Sequence, residues 1–245
     1  VNTTGIRQLD ELIDPVKREW VLEVYGDQDP VLRVFHYTMA YRSRSERVYL
    51  LFNMEFGGLD TLYLVRLCRF LDCRLENIVV SRAFRLSDTV EALESLTSIS
   101  NSLVLVLYPY SYVSRDPLRY SEATWITGLI SRIAHRNQVF LFNTTTRFGV
   151  RSPEGGSFHH HAVKVIIKLS RKRRLVTAEL VKHPVKQWGF KTIPYTILEH
   201  PAKCGVGRTI LDWVMVKNDF RDHGGEALNK LSRSQGVFSE VKILS

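Results

Sequence analysis

The sequence predicts an α/β protein built on a doubly wound, mostly parallel sheet with helices on both faces, and three observations predict it. The runs Val48-Tyr49-Leu50-Leu51-Phe52, Leu103-Val104-Leu105-Val106-Leu107 and Val139-Phe140-Leu141-Phe142 lack the polar alternation of a half-exposed strand, so each reads as a strand buried on both faces. Between them lie segments with apolar residues at helical spacing, and strands alternating with such helices give a layered parallel architecture. A chain of 245 residues with 44% hydrophobic content is long enough to bury the core this architecture requires.

Val21 to Tyr25 is the first strand, Gly26-Asp27-Gln28-Asp29-Pro30 a turn cluster, and Val31 to Tyr41 a helix ending in the polar run Arg42 to Arg47. Val48 to Glu55 is the second strand, Asp60 to Leu71 has amphipathic spacing, and Leu75 to Phe84 is a strand running into a loop. Ser87 and Asp88 can cap a helix through Leu96. Leu103 to Leu107 is the next strand, and Tyr110 to Tyr120 is a loop. Ser121 to Arg136 is a helix, with Ser121 as its cap and Trp125, Ile126, Leu129, Ile130 and Ile133 assigned to the core. Gln138 to Thr144 is a fourth buried strand and Thr145 to Ser157 a second loop. Val163 to Leu169 and Leu175 to Val181 pair as a β-hairpin with the tip Ser170-Arg171-Lys172-Arg173-Arg174. These elements define a core domain over residues 1–184. Residues 185–245 are expected to form a C-terminal extension, a small α/β appendage or a wrapping tail, in which Tyr195 to Leu198 adds a strand.

Formal net charge is +9, which favours a polyanionic partner such as nucleic acid or an anionic membrane surface. The charge is concentrated. Between Lys164 and Lys191 the one acid is Glu179, against Lys164, Lys168, Arg171, Lys172, Arg173, Arg174, Lys182, Lys186 and Lys191. Phosphate contact is the natural use of such a stretch, and protection of a hairpin edge against pairing is the other. No apolar run approaches the ~20 residues that cross a bilayer, and no secretory leader pattern is present, so a soluble intracellular protein is expected. Cys68, Cys73 and Cys204 have neither zinc-site spacing nor the even count of a disulfide framework and read as buried thiols. His159-His160-His161 read as the lead into a strand, where neighbours point to opposite faces and cannot converge on a metal ion.

Over about Thr3 to Pro184 the chain resembles the ATPase core of RadA/RecA-type recombinases. Thr3-Thr4-Gly5-Ile6-Arg7-Gln8-Leu9-Asp10-Glu11-Leu12 is similar to that family's T-T-G-x-x-x-L-D-x-L. Leu75 to Phe84 resembles L-x-N-I-x-x-x-R-A-[FY], the most specific of the matches, and Gly155 to Ala162 resembles G-G-x-x-x-x-H-A. The hairpin with its basic turn, ending near Lys182-His183-Pro184, has the same counterpart. The motifs that carry ATP chemistry are altered. The family's first strand-loop-helix holds G-x-x-x-x-G-K-[ST], whose glycines, lysine and hydroxyl cradle phosphates and magnesium. Counted from Gly26, the second glycine falls on Val31, the lysine on Leu32 and the hydroxyl residue on Arg33. The Walker B aspartate falls on Leu107, which cannot hold a hard cation. In I-D-T-E the aspartate is Asn53 and the glutamate survives as Glu55, and the sensing glutamine of V-x-[IV]-T-N-Q is Thr144.

The resemblance implies a RecA-like fold and a non-catalytic paralogue, a DNA-binding accessory or mediator in homologous recombination and DNA repair that uses no cofactor. Its partners by resemblance are DNA, single-stranded favoured, and a RadA-type recombinase or another paralogue, with no membrane. The family's two DNA loops map to the loops above, so Arg115, Arg119 and Tyr120 in the first and Arg147 and Arg151 in the second are expected contacts. Arg171, Lys172, Arg173, Arg174 and Lys182 join them from the hairpin. The expected location is the cytoplasm, with the nucleoid, or the nucleus in a eukaryote. Because the chain opens at the Thr3-Thr4-Gly5 segment, the family's helical N-terminal domain and polymerisation peptide are expected to be missing. Two other functions stand beside this one: a structural subunit of another complex contacting protein or RNA, and an ATPase with an unconventional phosphate site using Arg33 or Glu55.

Overall fold

The computed structural model describes residues 4–53, 59–114, 116, 120–146 and 152–199. The chain divides into two units, Val1–Cys204 and Gly205–Ser245, and every described residue belongs to the first. Its elements, in chain order, are α1 (Arg7–Ile13), β1 (Val21–Gly26), α2 (Gln28–Arg42), β2 (Val48–Asn53), α3 (Thr61–Leu71), β3 (Ile78–Ala83), α4 (Leu86–Leu96) and β4 (Leu103–Leu107). They continue with α5 (Ser121–Ala134), β5 (Gln138–Thr144), α6 (Gly156–Ala162), β6 (Val165–Lys172), β7 (Leu175–Lys182), β8 (Gly189–Pro194) and α7 (Tyr195–Glu199).

The strands form one sheet in the order β3-β2-β4-β5-β1-β6-β7-β8. From β3 to β6 all pairings are parallel, and β7 and β8 add antiparallel. The uninterrupted apolar runs lie in the middle, where every residue of β4 is buried. The core is split by the sheet. α1, α2, α3 and α7 supply side chains to the apolar cluster on one face, while α4 and α5 supply the other. α3 starts where Asp60 accepts the Tyr63 N–H at 2.8 Å, an N-cap, and ends at Asp72 in the left-handed region.

Four local expectations are corrected. Tyr195–Glu199 is the helix α7 and not a strand; the added strand is Gly189–Pro194, which pairs with β7 from Leu180↔Gly189 to Leu175↔Pro194. This strand, beyond residue 184, belongs to the same sheet as β6 and β7. Trp125 is 52% exposed, because it lies about 100° round the helix from Ile126, off the stripe of Ala123, Ile126, Ile130 and Ile133. His159, His160 and His161 sit on α6, and only His159 is buried. Cys68 and Cys73 are joined as a disulfide across the C-terminal turn of α3, where Cys73 N–H also donates to the Cys68 carbonyl at 3.2 Å.

Candidate phosphate seat and nucleic-acid interface

Asp27 alone links β1 to α2. Gly26 closes the strand at φ +126°, and a Cβ there would come within 2.1 Å of the Leu169 carbonyl oxygen, so only glycine fits. Asp27 N–H then donates to that same carbonyl at 2.9 Å. With Pro30 in the first turn, the helix begins at once, and Val31, Leu32 and Arg33 lie within it. The positive end of the α2 dipole is met by the protein's own carboxylates. Arg171 donates its backbone N–H to Asp27 Oδ2 at 2.6 Å and its Nη1 to Asp29 Oδ2 at 2.6 Å. The Tyr195 hydroxyl donates to the same Asp29 oxygen at 2.5 Å, and burial, then this bond, hold the phenol above its ordinary pKa. Arg33 Nε lies 3.6 Å from Asp29 Oδ1. The two guanidiniums rest on aromatic rings, Arg33 at 4.2 Å over Tyr63 and Arg171 at 3.5 Å over Tyr195. A carboxylate at a helix N-terminus between two guanidiniums is the arrangement of a bound anion, made here from side chains of the chain itself.

Beside this seat the end of β4 is apolar and closed. Leu107 is fully buried in the first core cluster. Tyr108 follows at φ 54° and is buried too; burial pushes its phenol up. Asn53 at the end of β2 donates from Nδ2 to the Tyr108 carbonyl at 2.6 Å and accepts from Thr89 Oγ1 at 3.2 Å. Its amide thus works as a strand-end tie. Glu55 lies outside the described residues.

The feet of the two expected DNA loops are joined by a buried polar chain. Glu23, the one charged residue inside β1, is fully buried and its Oε1 accepts from Asn143 Nδ2 at 2.8 Å and meets His159 Nε2 at 2.8 Å. His159 Nδ1 lies 2.7 Å from the Tyr110 hydroxyl, which is 2.8 Å from Thr127 Oγ1. Burial raises the Tyr110 phenol well above its ordinary value, so it stays a neutral hydrogen-bonding group. Asn143 also donates to the Glu154 carbonyl at 2.7 Å, and the Tyr120 hydroxyl donates to Glu154 Oε1 at 3.0 Å. Tyr110 and Tyr120 therefore look inward, clamping the loop ends. Of the loop residues expected to touch nucleic acid, Tyr120 is half-buried in this clamp, and Arg115, Arg119, Arg147 and Arg151 lie outside the described residues.

The basic hairpin divides into tied and projecting cations. Arg171 belongs to the seat at α2. Lys182 Nζ donates to the carbonyls of His160 at 2.5 Å, His161 at 3.2 Å and Val163 at 2.7 Å, where it caps the C-terminal end of α6; burial, then Lys164, lower its pKa. Lys186 and Lys191 are spent on α1, the first on the Glu11 and Leu12 carbonyls, the second on the Glu11 carboxylate at 3.1 Å. Lys172, Arg173 and Arg174 are exposed at the turn. Among the described residues no group of three His, Cys, Asp or Glu side chains is placed to hold a metal ion, and no helix is long and apolar enough to cross a membrane.

Sequence reasoning missed the seat. Asp27 and Asp29 looked like turn formers, and nothing local connects them to Arg171 and Tyr195. No family model and no curated protein matches this sequence. Among solved structures, one described as the crystal structure of the RadB recombinase superposes with a TM-score of 0.65 at 18% identity, covering 79% of this chain and 96% of its own. At that identity the likeness establishes the fold, and the chain has the RecA-like α/β architecture of that recombinase.

Proposed function

We propose that this chain is a recombinase-like protein without nucleotide turnover, which binds nucleic acid through charge and acts beside a RadA-type recombinase or another paralogue in recombination and repair. The observation that carries this is the seat at α2. A magnesium-bound triphosphate does not fit these residues. The one-residue link is too short to wrap a phosphate as a multi-residue loop does, Asp27 and Asp29 would face the phosphates with like charge, and Leu107 stands where a carboxylate would have to reach the metal. An uncompensated charge beside that leucine would cost several kcal/mol. The fold neighbour's being a recombinase and the surplus of nine positive charges support a nucleic-acid partner.

The test is fluorescence anisotropy of labelled single- and double-stranded oligonucleotides against the full chain, over a salt series, with and without ATP and magnesium. We expect saturable binding to the single strand that falls steeply with salt and does not respond to ATP. Replacing Lys172, Arg173 and Arg174 by alanine should weaken it and lower the slope of log K against log salt by about 2, at ~0.7 per phosphate contact. Binding that requires ATP, or none at low salt, contradicts the proposal.

A further inference from the structure

Among the described residues, the helices stop covering the second face of the sheet at β6. Ile166 is the last residue of the sheet in the apolar cluster under α4 and α5, and no described residue of β7 or β8 belongs to it. On β8, Ile193 points into the opposite core, so by strand alternation Phe190 and Thr192 point to the uncovered side, and Trp188 precedes them in phase. Trp188 is 66% and Phe190 58% exposed. Their ring centroids are 5.9 Å apart. The indole is oriented by a hydrogen bond from Nε1 to Glu179 Oε1 at 2.9 Å, so little freedom is lost when something stacks on it.

The register across the wing adds charge. Phe190 lies opposite Glu179 on β7, and Glu179 opposite Lys168 on β6, so the one acid of this face is balanced by a neighbour. Lys168 and Lys172 share the face with Phe190, in a row two strands away, about 10 Å, leading to the exposed Arg173 and Arg174. Single exposed apolar residues are ordinary. Two aromatic rings at i and i+2 on an uncovered sheet, with a lysine row running parallel, form instead a stacking surface beside an electrostatic track.

We propose that this face of β6-β7-β8 binds single-stranded nucleic acid, with successive bases on Trp188 and Phe190 and the phosphates along Lys168, Lys172 and the hairpin turn. This rests on the nucleic-acid function proposed above and names its site. Stacking is sequence-tolerant, since every base has a π-face.

The test uses the full chain and two labelled probes, a deoxythymidine oligomer and an oligomer of the same length built of abasic sugar-phosphate units. We expect Trp188→Ala and Phe190→Ala each to weaken the thymidine oligomer roughly tenfold, and Trp188→Phe to retain most of the affinity. The abasic oligomer should bind the wild type weakly and the two alanine variants no worse. If both alanine variants bind thymidine like the wild type while the Lys172, Arg173 and Arg174 replacements weaken it, the face is wrong and nucleic-acid binding stands. No binding by the wild type at low salt overturns both. If Trp188→Ala converts a sedimenting dimer to monomer at unchanged oligonucleotide affinity, the face joins two copies and the proposal falls.

Discussion

Asp29 gathers more of the chain than its turn-like sequence suggests, because Arg171, Arg33 and Tyr195 all converge on one half-exposed carboxylate. The exposure limits its worth to stability. We expect Asp29→Ala to cost about 1 kcal/mol, a shift of about 2–4 °C in Tm by calorimetry. His159 is the opposite case. It stands between buried Glu23 and buried Tyr110, and Glu23 Oε2 already has no hydrogen-bond partner among the described residues. His159→Leu should cost about 3–5 kcal/mol by denaturant titration, since it removes the hydrogen-bonding partner that buried Glu23 and buried Tyr110 share. The double variant with Glu23→Leu should recover much of that; if it does not, the pair is not the source of the loss. Trp125→Ala, at a position the helical spacing assigns to the core, should change stability by no more than about 0.5 kcal/mol. His36 brings a pH dependence. Burial lowers its pKa below 6.5, and its ring is held neutral, Nδ1 donating to the Leu32 carbonyl at 2.7 Å and Nε2 accepting the Asp60 N–H at 3.0 Å. The unfolded chain takes up a proton near 6.5 and the folded chain resists it, so stability is full above 6.5 and falls as pH drops below that value. His36→Leu should flatten this part of the profile between pH 7.5 and 5.5.

At the scale of elements, α2 and the β6-β7 hairpin depend on each other. Gly26 brings the start of α2 against β6, and the hairpin sends Arg171 back over it. The hairpin turns in two residues, Arg173 and Arg174, with Lys172 paired to Leu175, and Arg173 takes φ 57°. An L-residue other than glycine is strained there. We expect Arg173→Gly to stabilise the protein by about 0.5–1 kcal/mol while weakening the oligonucleotide, a split that separates the turn's shape from its charge. Weakened folding together with unchanged binding would assign Arg173 to the structure alone.

For the molecule as a whole, the period of the sequence carried the central sheet. Leu103 to Leu107 and Val139 to Phe142 could be assigned from apolar continuity because a doubly covered strand needs it. Where burial was one-sided the same signal faded: β8 has one buried position, Ile193, and passed unnoticed. The substitutions Leu32, Arg33 and Leu107 stand out against a phosphate-loop pattern, but the cluster at the start of α2 does not, since Arg171 reaches Asp27 and Asp29 across 144 and 142 residues. Long-range pairing leaves no periodicity. The central claim is that these carboxylates and guanidiniums fill the place of a nucleotide, and isothermal titration calorimetry of ATP with magnesium into the full chain tests it most directly. We expect no saturable heat at millimolar nucleotide. A saturable isotherm with micromolar affinity, abolished by Arg33→Ala or Arg171→Ala, would contradict it and return the chain to the nucleotide-binding proteins.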